Sequence, residues 1–173
     1  MSRKASCLCG AHAGRRAFLG LAAGVPMASV ARAGDGTAYD AMLLTCIDPR
    51  LVSPVYAWMG QRGLSGRFSR FAIAGAALGV VSPAFATWQP AFWDNLATSV
   101  QLHKVPRVIA VGHRDCGAAK IAYGAEAVAT PEAESALHRR VFAAFRAELA
   151  QRHPALRAEG VLMALDGTVE SFA

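Results

Sequence analysis

Short apolar runs alternate with longer amphipathic segments along most of the chain. Continuous apolar runs are typical of strands buried in a parallel sheet. Apolar positions spaced by three and four, after N-cap and proline signals, are typical of helices. The predicted strands cover residues 41–45, 71–74, 107–111 and 161–165, and the predicted helices cover 54–62 after the N-cap Ser53, 91–103, and 131–152 after the N-cap Thr130. This alternation predicts an α/β domain with a mostly parallel central sheet flanked by helices.

Two further segments are predicted to lack regular structure. Residues 77–90 are apolar but contain one glycine and two prolines, so we expect an irregular loop there. Asp166-Gly167 follows the final predicted strand and is a turn signal of the kind found in hairpins.

Two polar clusters interrupt the apolar pattern, and each follows a predicted strand. Residues 46–50 read Cys-Ile-Asp-Pro-Arg, and residues 113–117 read His-Arg-Asp-Cys-Gly. Ligands of open parallel sheets bind beyond the carboxyl ends of the strands, so the clusters meet if their strands are neighbours. Two cysteines and a histidine suit Zn²⁺, and three protein ligands leave a fourth tetrahedral position open, as in catalytic sites. The clusters therefore favour a zinc enzyme.

The first 33 residues have the composition of an export signal. They contain five basic residues and no acidic residue, Arg15-Arg16 precedes an apolar stretch, and Ala31-Arg32-Ala33 resembles a cleavage site. The apolar stretch is too short to span a bilayer. We therefore expect a cleaved twin-arginine signal peptide over residues 1–33, read by the twin-arginine export machinery. A single zinc-enzyme domain over residues 34–173, without a stable membrane anchor, would then be periplasmic.

Removing the predicted signal changes the charge of the protein. The whole chain has a net charge of +6, but residues 34–173 contain 13 basic and 12 acidic residues. No dense basic patch remains, which disfavours a nucleic-acid partner. Of the four cysteines, only Cys46 and Cys116 belong to the mature part, and both lie in the polar clusters.

Other uses of the two cysteines stay open at this point. Exported proteins often contain disulfides, so Cys46 and Cys116 are also candidates for a crosslink. The polar residues beside both cysteines favour a metal site over that crosslink. A phosphatase-type loop is disfavoured because Pro49 removes a backbone donor. A dithiol redox centre is disfavoured because residues 34–173 contain no Cys-x-x-Cys motif.

Taken together, the two clusters resemble the signature of the β-class carbonic anhydrases. The motifs that carry the resemblance are Cys46-x-Asp48-x-Arg50 and His113-x-x-Cys116-Gly117, with Ala74-Gly75 between them. The resemblance covers nearly all of residues 42–169. The form of the motifs is similar to that of the compact archaeal and bacterial branch of the family.

The resemblance implies a site, a reaction and an assembly. Cys46, His113 and Cys116 would bind Zn²⁺, and Asp48 and Arg50 would be the catalytic pair. In the family, the carboxylate at the position of Asp48 can also become a fourth metal ligand. The implied activity is carbonic anhydrase (a lyase), the reversible hydration of CO₂ to bicarbonate by a metal-bound hydroxide. The implied partner is a second copy of the chain, in a homodimer or a higher homo-oligomer.

Some positions depart from the family pattern or have a less specific reading. Ile73 and Ala76 stand where the family commonly has polar residues. These departures keep open a related zinc hydrolase that acts on carbonyl sulfide or carbon disulfide. A non-catalytic exported α/β protein that binds zinc or contains a disulfide is a further alternative. We interpret Asp115 as an acid at a helix N-terminus rather than as a support for His113 or for the loop backbone. We interpret His103 and His138 as exposed helix residues rather than as proton shuttles.

Overall fold

The computed structural model describes residues 38–172, which form a five-stranded sheet in the order β2-β1-β3-β4-β5. The strands are β1 (Ala41–Thr45), β2 (Phe68–Ala72), β3 (Arg107–His113), β4 (Arg157–Met163) and β5 (Val169–Phe172). The first four strands are parallel, and β5 pairs antiparallel with β4. The prediction of an α/β fold with a mostly parallel sheet is confirmed.

Five α-helices and three short 3₁₀ segments connect the described strands. The helices are α1 (Val52–Gln61), α2 (Ala77–Val81), α3 (Gln89–His103), α4 (Gly117–Tyr123) and α5 (Pro131–Arg152), and the 3₁₀ segments are Pro49–Leu51, Pro83–Trp88 and Glu126–Val128. The start of α5 is the one predicted, because the Thr130 side chain accepts a hydrogen bond from the Ala133 N–H at 3.2 Å. This long helix packs against α2 and β4.

The two central strands, β1 and β3, are the most deeply buried part of the sheet. Every residue of β1 is buried, and so is every residue of β3 after Arg107. A parallel strand covered on both faces has no polar face, which explains the continuous apolar runs in the sequence. Phe92 of α3 packs edge-to-face against Phe145 of α5, with ring centroids 5.8 Å apart. The strands that carry the two polar clusters are thus held in a rigid core.

Three sequence predictions need correction. The first helix begins at Val52 rather than after Ser53, and Asp48 instead caps the preceding 3₁₀ segment by accepting a hydrogen bond from the Arg50 N–H. The segment 77–90, predicted to be an irregular loop, forms α2, the 3₁₀ segment Pro83–Trp88 and the start of α3. Its prolines stand at or near helical first turns, where the missing N–H costs nothing.

The third correction concerns the end of the chain. The strand predicted at 161–165 begins earlier, at Arg157, and the closing strand of the described region is β5. Between them the predicted turn is present: the Asp166 carboxylate accepts a hydrogen bond from the Thr168 N–H, and Gly167 has a φ of +90°. Of the other parallel strands, β1 lies where its apolar run predicted it, β3 begins at the predicted residue, and β2 begins three residues earlier than predicted, at Phe68.

The predicted twin-arginine signal falls on residues 1–33, which lie outside the described residues. Its cleavage and the periplasmic location therefore stay predictions. Within residues 38–172, no helix combines the length and the hydropathy that a membrane span requires.

Candidate metal centre

Three buried side chains meet at the carboxyl ends of β1 and β3. Cys46 directly follows β1, His113 is the last residue of β3, and Cys116 is the N-cap residue of α4. Their Sγ and ring nitrogen atoms lie within 4.8 Å of one another. The cause is topological: β1 pairs with β3 in parallel, so the residues that follow the two strands emerge side by side. The structure thus brings together the three residues that the sequence singled out as ligands.

The hydrogen bonding of His113 leaves one ring nitrogen ready for a cation. Its Nδ1 lies 2.8 Å from the Arg114 carbonyl oxygen, and only a protonated Nδ1 can donate to that acceptor. In the neutral ring, Nε2 then carries a lone pair. This atom is fully buried and has no hydrogen-bond partner among residues 38–172. Buried polar atoms rarely lack a partner, and this one adjoins two sulfur atoms, so the cluster fits a metal ion.

The two cysteines are free thiols in the structure. The neighbouring Cys116 and His113 side chains, together with the hydrogen bond from the Gly75 N–H, hold the pKa of Cys46 well below its usual range. The Cys46 sulfur, together with burial, raises the pKa of Cys116. Cys46 is therefore the more readily ionised of the two cysteines, and the thiolate is the form of cysteine that binds a metal.

Gly75 has the backbone conformation that the Cys46 contact needs. Its φ is +81°, and its N–H donates to Cys46 Sγ at 3.2 Å. A Cβ at this position would lie 3.0 Å from the Leu78 side chain and 3.3 Å from Ala118 Cβ. Only glycine combines this φ with so close an approach of neighbouring helices. Through this N–H, the Ala74-Gly75 pair holds the Cys46 sulfur, a candidate metal ligand, in place.

Asp48 and Arg50 form a bidentate pair beside the cluster. Asp48 Oδ1 accepts from the Arg50 backbone N–H at 2.9 Å and from Nε at 3.0 Å, while Oδ2 accepts from Nη2 at 2.7 Å. The Arg50 side chain is the main reason that the pKa of Asp48 falls to about 2. Asp48 Oδ2 also lies 4.0 Å from His113 Nε2. An ionised carboxylate thus stands next to the position a metal would take.

Asp115 has a role different from the one its sequence position indicated. Its Oδ2 accepts from Arg50 Nη1 at 2.9 Å, and its Oδ1 accepts from Lys120 Nζ at 2.6 Å. Asp115 therefore pairs with two cations rather than acting as an acid at a helix N-terminus. Sequence reasoning missed the Arg50 contact because it joins positions 65 residues apart and depends on β1 lying next to β3.

His138 is not the exposed helix residue that we predicted. Only 4% of it is exposed, and its Nε2 has no hydrogen-bond partner among the described residues. Burial is the main reason that its pKa falls to about 4, so the ring is neutral at physiological pH. It packs on β3 at Gly112, where a Cβ would lie 2.7 Å from His138 Nδ1. The apolar spacing of α5 places position 138 toward the sheet, and the histidine is part of that buried face.

His103 is partly buried and lies away from the cluster. It ends α3, and its carbonyl accepts the Tyr39 N–H at 2.9 Å, beside the start of β1. Cys46 follows the opposite end of the same strand. Neither histidine is therefore placed as a surface relay for this site.

An open apolar groove leads to Cys46 and Asp48. Its volume is about 380 Å³, and its walls include Ile47, Phe85, Trp88, Ala118 and Ile121. The rings of Phe85 and Trp88 stack with centroids 4.4 Å apart. Both aromatic residues come from the segment that we predicted to be an irregular loop, so the groove could not be read from the sequence.

Comparison with known proteins gives sequence relatives and structural neighbours. No protein-family profile matches the chain. An uncharacterised protein of Rickettsia conorii is 32% identical over 131 residues, covering 76% of this chain and 70% of the relative. An uncharacterised protein of Rickettsia bellii is 30% identical over 131 residues, covering 76% of this chain and 80% of the relative.

The structural neighbours are β-carbonic anhydrases of low sequence identity. A tetrameric enzyme of Sordaria macrospora has a TM-score of 0.51 at 16% identity, covering 79% of this chain and 81% of its own. The wild-type CafD enzyme of Aspergillus fumigatus has a TM-score of 0.51 at 11% identity, covering 87% and 95%. A carbonic anhydrase of Glaciozyma antarctica has a TM-score of 0.50 at 18% identity, covering 80% and 85%. The chain therefore belongs to the same family as the two rickettsial proteins, and its fold is that of the β-carbonic anhydrases.

Proposed function

We propose that the protein is an exported zinc carbonic anhydrase that catalyses the reversible hydration of CO₂ to bicarbonate. The observation that carries this proposal is the buried cluster of Cys46, His113 and Cys116 beside an ionised Asp48. The fold shared with β-carbonic anhydrases supports it. A crosslinking role for the cysteines has less support, because both are free thiols and His113 Nε2 is directed to the same place.

The donor set favours zinc among the common metals. Mg²⁺ and Ca²⁺ prefer oxygen ligands, whereas two thiolates and an imidazole suit Zn²⁺. Cys46 and Cys116 would bind through Sγ, and His113 through Nε2. When bound, zinc supplies Lewis acidity that brings the pKa of a coordinated water to about 7.

The role that we assign to Asp48 is to orient the attacking water. With its pKa near 2, the carboxylate is ionised at neutral pH and only accepts hydrogen bonds. Accepting the O–H of the water directs the oxygen lone pair away from Asp48 and toward the substrate. Arg50 donates to both carboxylate oxygens, so the carboxylate keeps one orientation.

The groove supports a small, uncharged substrate. Its walls are largely apolar, and CO₂ carries no net charge that would need a partner there. The same walls would admit carbonyl sulfide or carbon disulfide, and Ala74, which lines the groove, belongs to the segment that contains the apolar Ile73 and Ala76. Hydrolysis of one of these sulfur compounds is therefore the second candidate activity.

Export and self-association complete the proposal. A zinc site built from thiolates is best assembled in the reducing cytoplasm, and twin-arginine export would carry the folded, metal-loaded protein to the periplasm.

Ile47 and Ile121 at the groove are 63% and 76% exposed in the single chain. Exposed apolar surface of this kind is typical of protein contacts, which supports a homo-oligomer. The Sordaria macrospora neighbour is described as tetrameric.

The first test measures zinc and free thiols in the purified mature protein. The proposal requires about one zinc per chain and two free thiols after metal removal under denaturing conditions. CO₂ hydration and sulfide release from carbonyl sulfide are then compared on the same sample. A protein with no zinc and no free thiols would contradict the proposal. Zinc with sulfide release but no CO₂ hydration would establish the second candidate instead.

A further inference from the structure

Arg50 contacts a second carboxylate besides that of Asp48. Asp48 takes the hydrogen bonds from Nε and Nη2, whereas Asp115 takes the one from Nη1. The Asp115 carbonyl oxygen also accepts from Nη2 at 3.3 Å, and that nitrogen carries two hydrogens. The two aspartates therefore do not compete for the same N–H, and Arg50 is held on two sides.

Asp115 is itself fixed to the body of the domain. Its backbone N–H donates to Glu134 Oε1 of α5 at 2.7 Å, and Glu134 is only 8% exposed. Its φ is +55°, a left-handed conformation that aspartate tolerates better than most residues. Lys120 of α4 neutralises the carboxylate oxygen that Arg50 leaves free. Arg50 thus connects a fixed anion, Asp115, to the carboxylate beside the metal cluster.

The position of Asp48 makes this restraint matter. Asp48 Oδ2 is 4.0 Å from His113 Nε2, so a modest rotation of the side chain would bring the carboxylate onto the ligand cluster. Hydrogen bonds from Arg50 to both carboxylate oxygens oppose this rotation. Whatever holds the Arg50 guanidinium in place therefore also decides where Asp48 points.

We infer that Asp115 is a positioning residue, which acts through Arg50 to keep the Asp48 carboxylate off the metal held by Cys46, His113 and Cys116. The inference rests on the proposed function, since it assumes a metal in that cluster. Asp115 does not touch the substrate. Its contribution is to keep one coordination position available to exogenous ligands.

The expected effect is modest because the residues involved are partly exposed. The side chains of Arg50, Asp115 and Lys120 are 45%, 53% and 47% exposed, and solvent weakens isolated surface pairs. This network is more restrained than an isolated pair, because the planar Arg50 guanidinium is held by two partners, Asp48 and Asp115. We expect removal of the Asp115 carboxylate to change ligand binding at the metal by about threefold to fivefold.

Thiocyanate binding to the cobalt-substituted protein measures this directly through the visible absorption of the metal. Asp115→Asn keeps the shape and the tolerance for a positive φ, and Asp115→Gly keeps the φ without any side chain. Both should bind thiocyanate about threefold to fivefold more weakly than the wild type. Asp94→Asn removes an exposed aspartate of α3 that makes no ion pair among the described residues, and it serves as the matched control.

The direction of the change in thiocyanate affinity distinguishes a positioning role of Asp115 from a direct electrostatic effect of its charge. Losing a negative charge near the site should by itself strengthen anion binding, whereas a released Asp48 should weaken it. In an Arg50→Ala background, Asp115→Asn should cause no further loss, because its effect passes through Arg50. Tighter or unchanged thiocyanate binding, or an equal loss in both backgrounds, would overturn the inference.

The same experiment keeps this inference apart from the proposed function. If the wild type binds cobalt and shows the expected thiocyanate pattern but does not hydrate CO₂, the proposed reaction is wrong and the positioning role stands. If the wild type hydrates CO₂ and the thiocyanate pattern is absent, the positioning role is wrong and the reaction stands.

Discussion

The Cys-His-Cys cluster and the charge network beside it are built in opposite ways. Cys46, His113 and Cys116 are at most 6% exposed and follow rigid central strands. Arg50 and Asp115, by contrast, are about half exposed and lie on connecting segments. The first arrangement suits tight binding of an ion that must not exchange. The second suits control of a carboxylate that has to stay beside that ion without binding it.

The largest expected effect comes from breaking the cluster. Cys116→Ser replaces a buried soft ligand with a hydroxyl that binds zinc poorly, so zinc and CO₂ hydration should both be lost, the latter by at least about 1,000-fold. Chelator competition and stopped-flow hydration measure the two. As a control, Ser53→Ala alters an exposed residue that caps nothing in the structure. Full zinc content in Cys116→Ser would show that the metal lies elsewhere.

Breaking the network should reduce activity while leaving the metal in place. Arg50→Ala frees the Asp48 carboxylate, and we expect CO₂ hydration to fall by about 100-fold with about one zinc per chain retained. Zinc analysis of the same preparation is the essential companion measurement. If the variant loses its zinc, Arg50 supports the cluster itself and the contrast between the two regions fails.

The Gly75 loop supports the cluster through Cys46, and its geometry can be tested separately. Gly75→Ala places a Cβ against Leu78 and Ala118 at a φ of +81°, so we expect a loss of about 2–3 kcal/mol in the free energy of unfolding. Gly63→Ala is the matched control, because it has a φ of +70° but no atom within 4 Å of the added Cβ. The difference between the two variants isolates the steric part. Equal losses would show that the contact at Gly75 is unimportant.

The buried His138 predicts a pH dependence with a definite sign. Its folded-state pKa of about 4 lies below the usual value of 6.5, so the unfolded chain binds a proton first as the pH falls. Its contribution to stability is therefore complete above about pH 6.5 and is lost progressively toward pH 4. The wild type should lose about 2 kcal/mol more than His138→Leu between about pH 7 and pH 4.5.

Urea unfolding of both zinc-loaded proteins at the two pH values measures that difference. Zinc content is measured at each pH and must be equal in the two proteins, because His138 lies close to the proposed ligand His113. If the wild type and His138→Leu lose the same stability, the His138 ring has a hydrogen-bond partner or is accessible to solvent in the folded protein.

The parts of the fold that follow from local patterns were predictable. Continuous apolar runs located β1 and β3, and the Thr130-Pro131 signal located the start of α5. The convergence of the three proposed ligands was predicted only on the condition that their strands are neighbours, because ligands gather at the carboxyl ends of adjacent parallel strands. Nothing in the sequence required these strands to be neighbours, and the structure supplies that fact.

The parts that depend on long-range contacts were not predictable. Asp115 reaches Arg50 only because the two cluster-bearing strands are adjacent. The helical turns of residues 77–90 have weak local signals, since glycine and proline usually mark loops, and packing against α5 and α3 decides their form. His138 looked like a surface residue by type, although its helical position faces the sheet. Whether a polar residue is buried depends on tertiary packing, which local sequence patterns do not show.

The most direct test of the account is a zinc titration of the metal-free protein, followed by stopped-flow CO₂ hydration. We predict that activity rises with added zinc and levels off at about one equivalent per chain, and that Cys46→Ser gives no activity at any zinc concentration. Wild-type protein that binds one zinc but never hydrates CO₂, or a Cys46→Ser variant as active as the wild type, would contradict it.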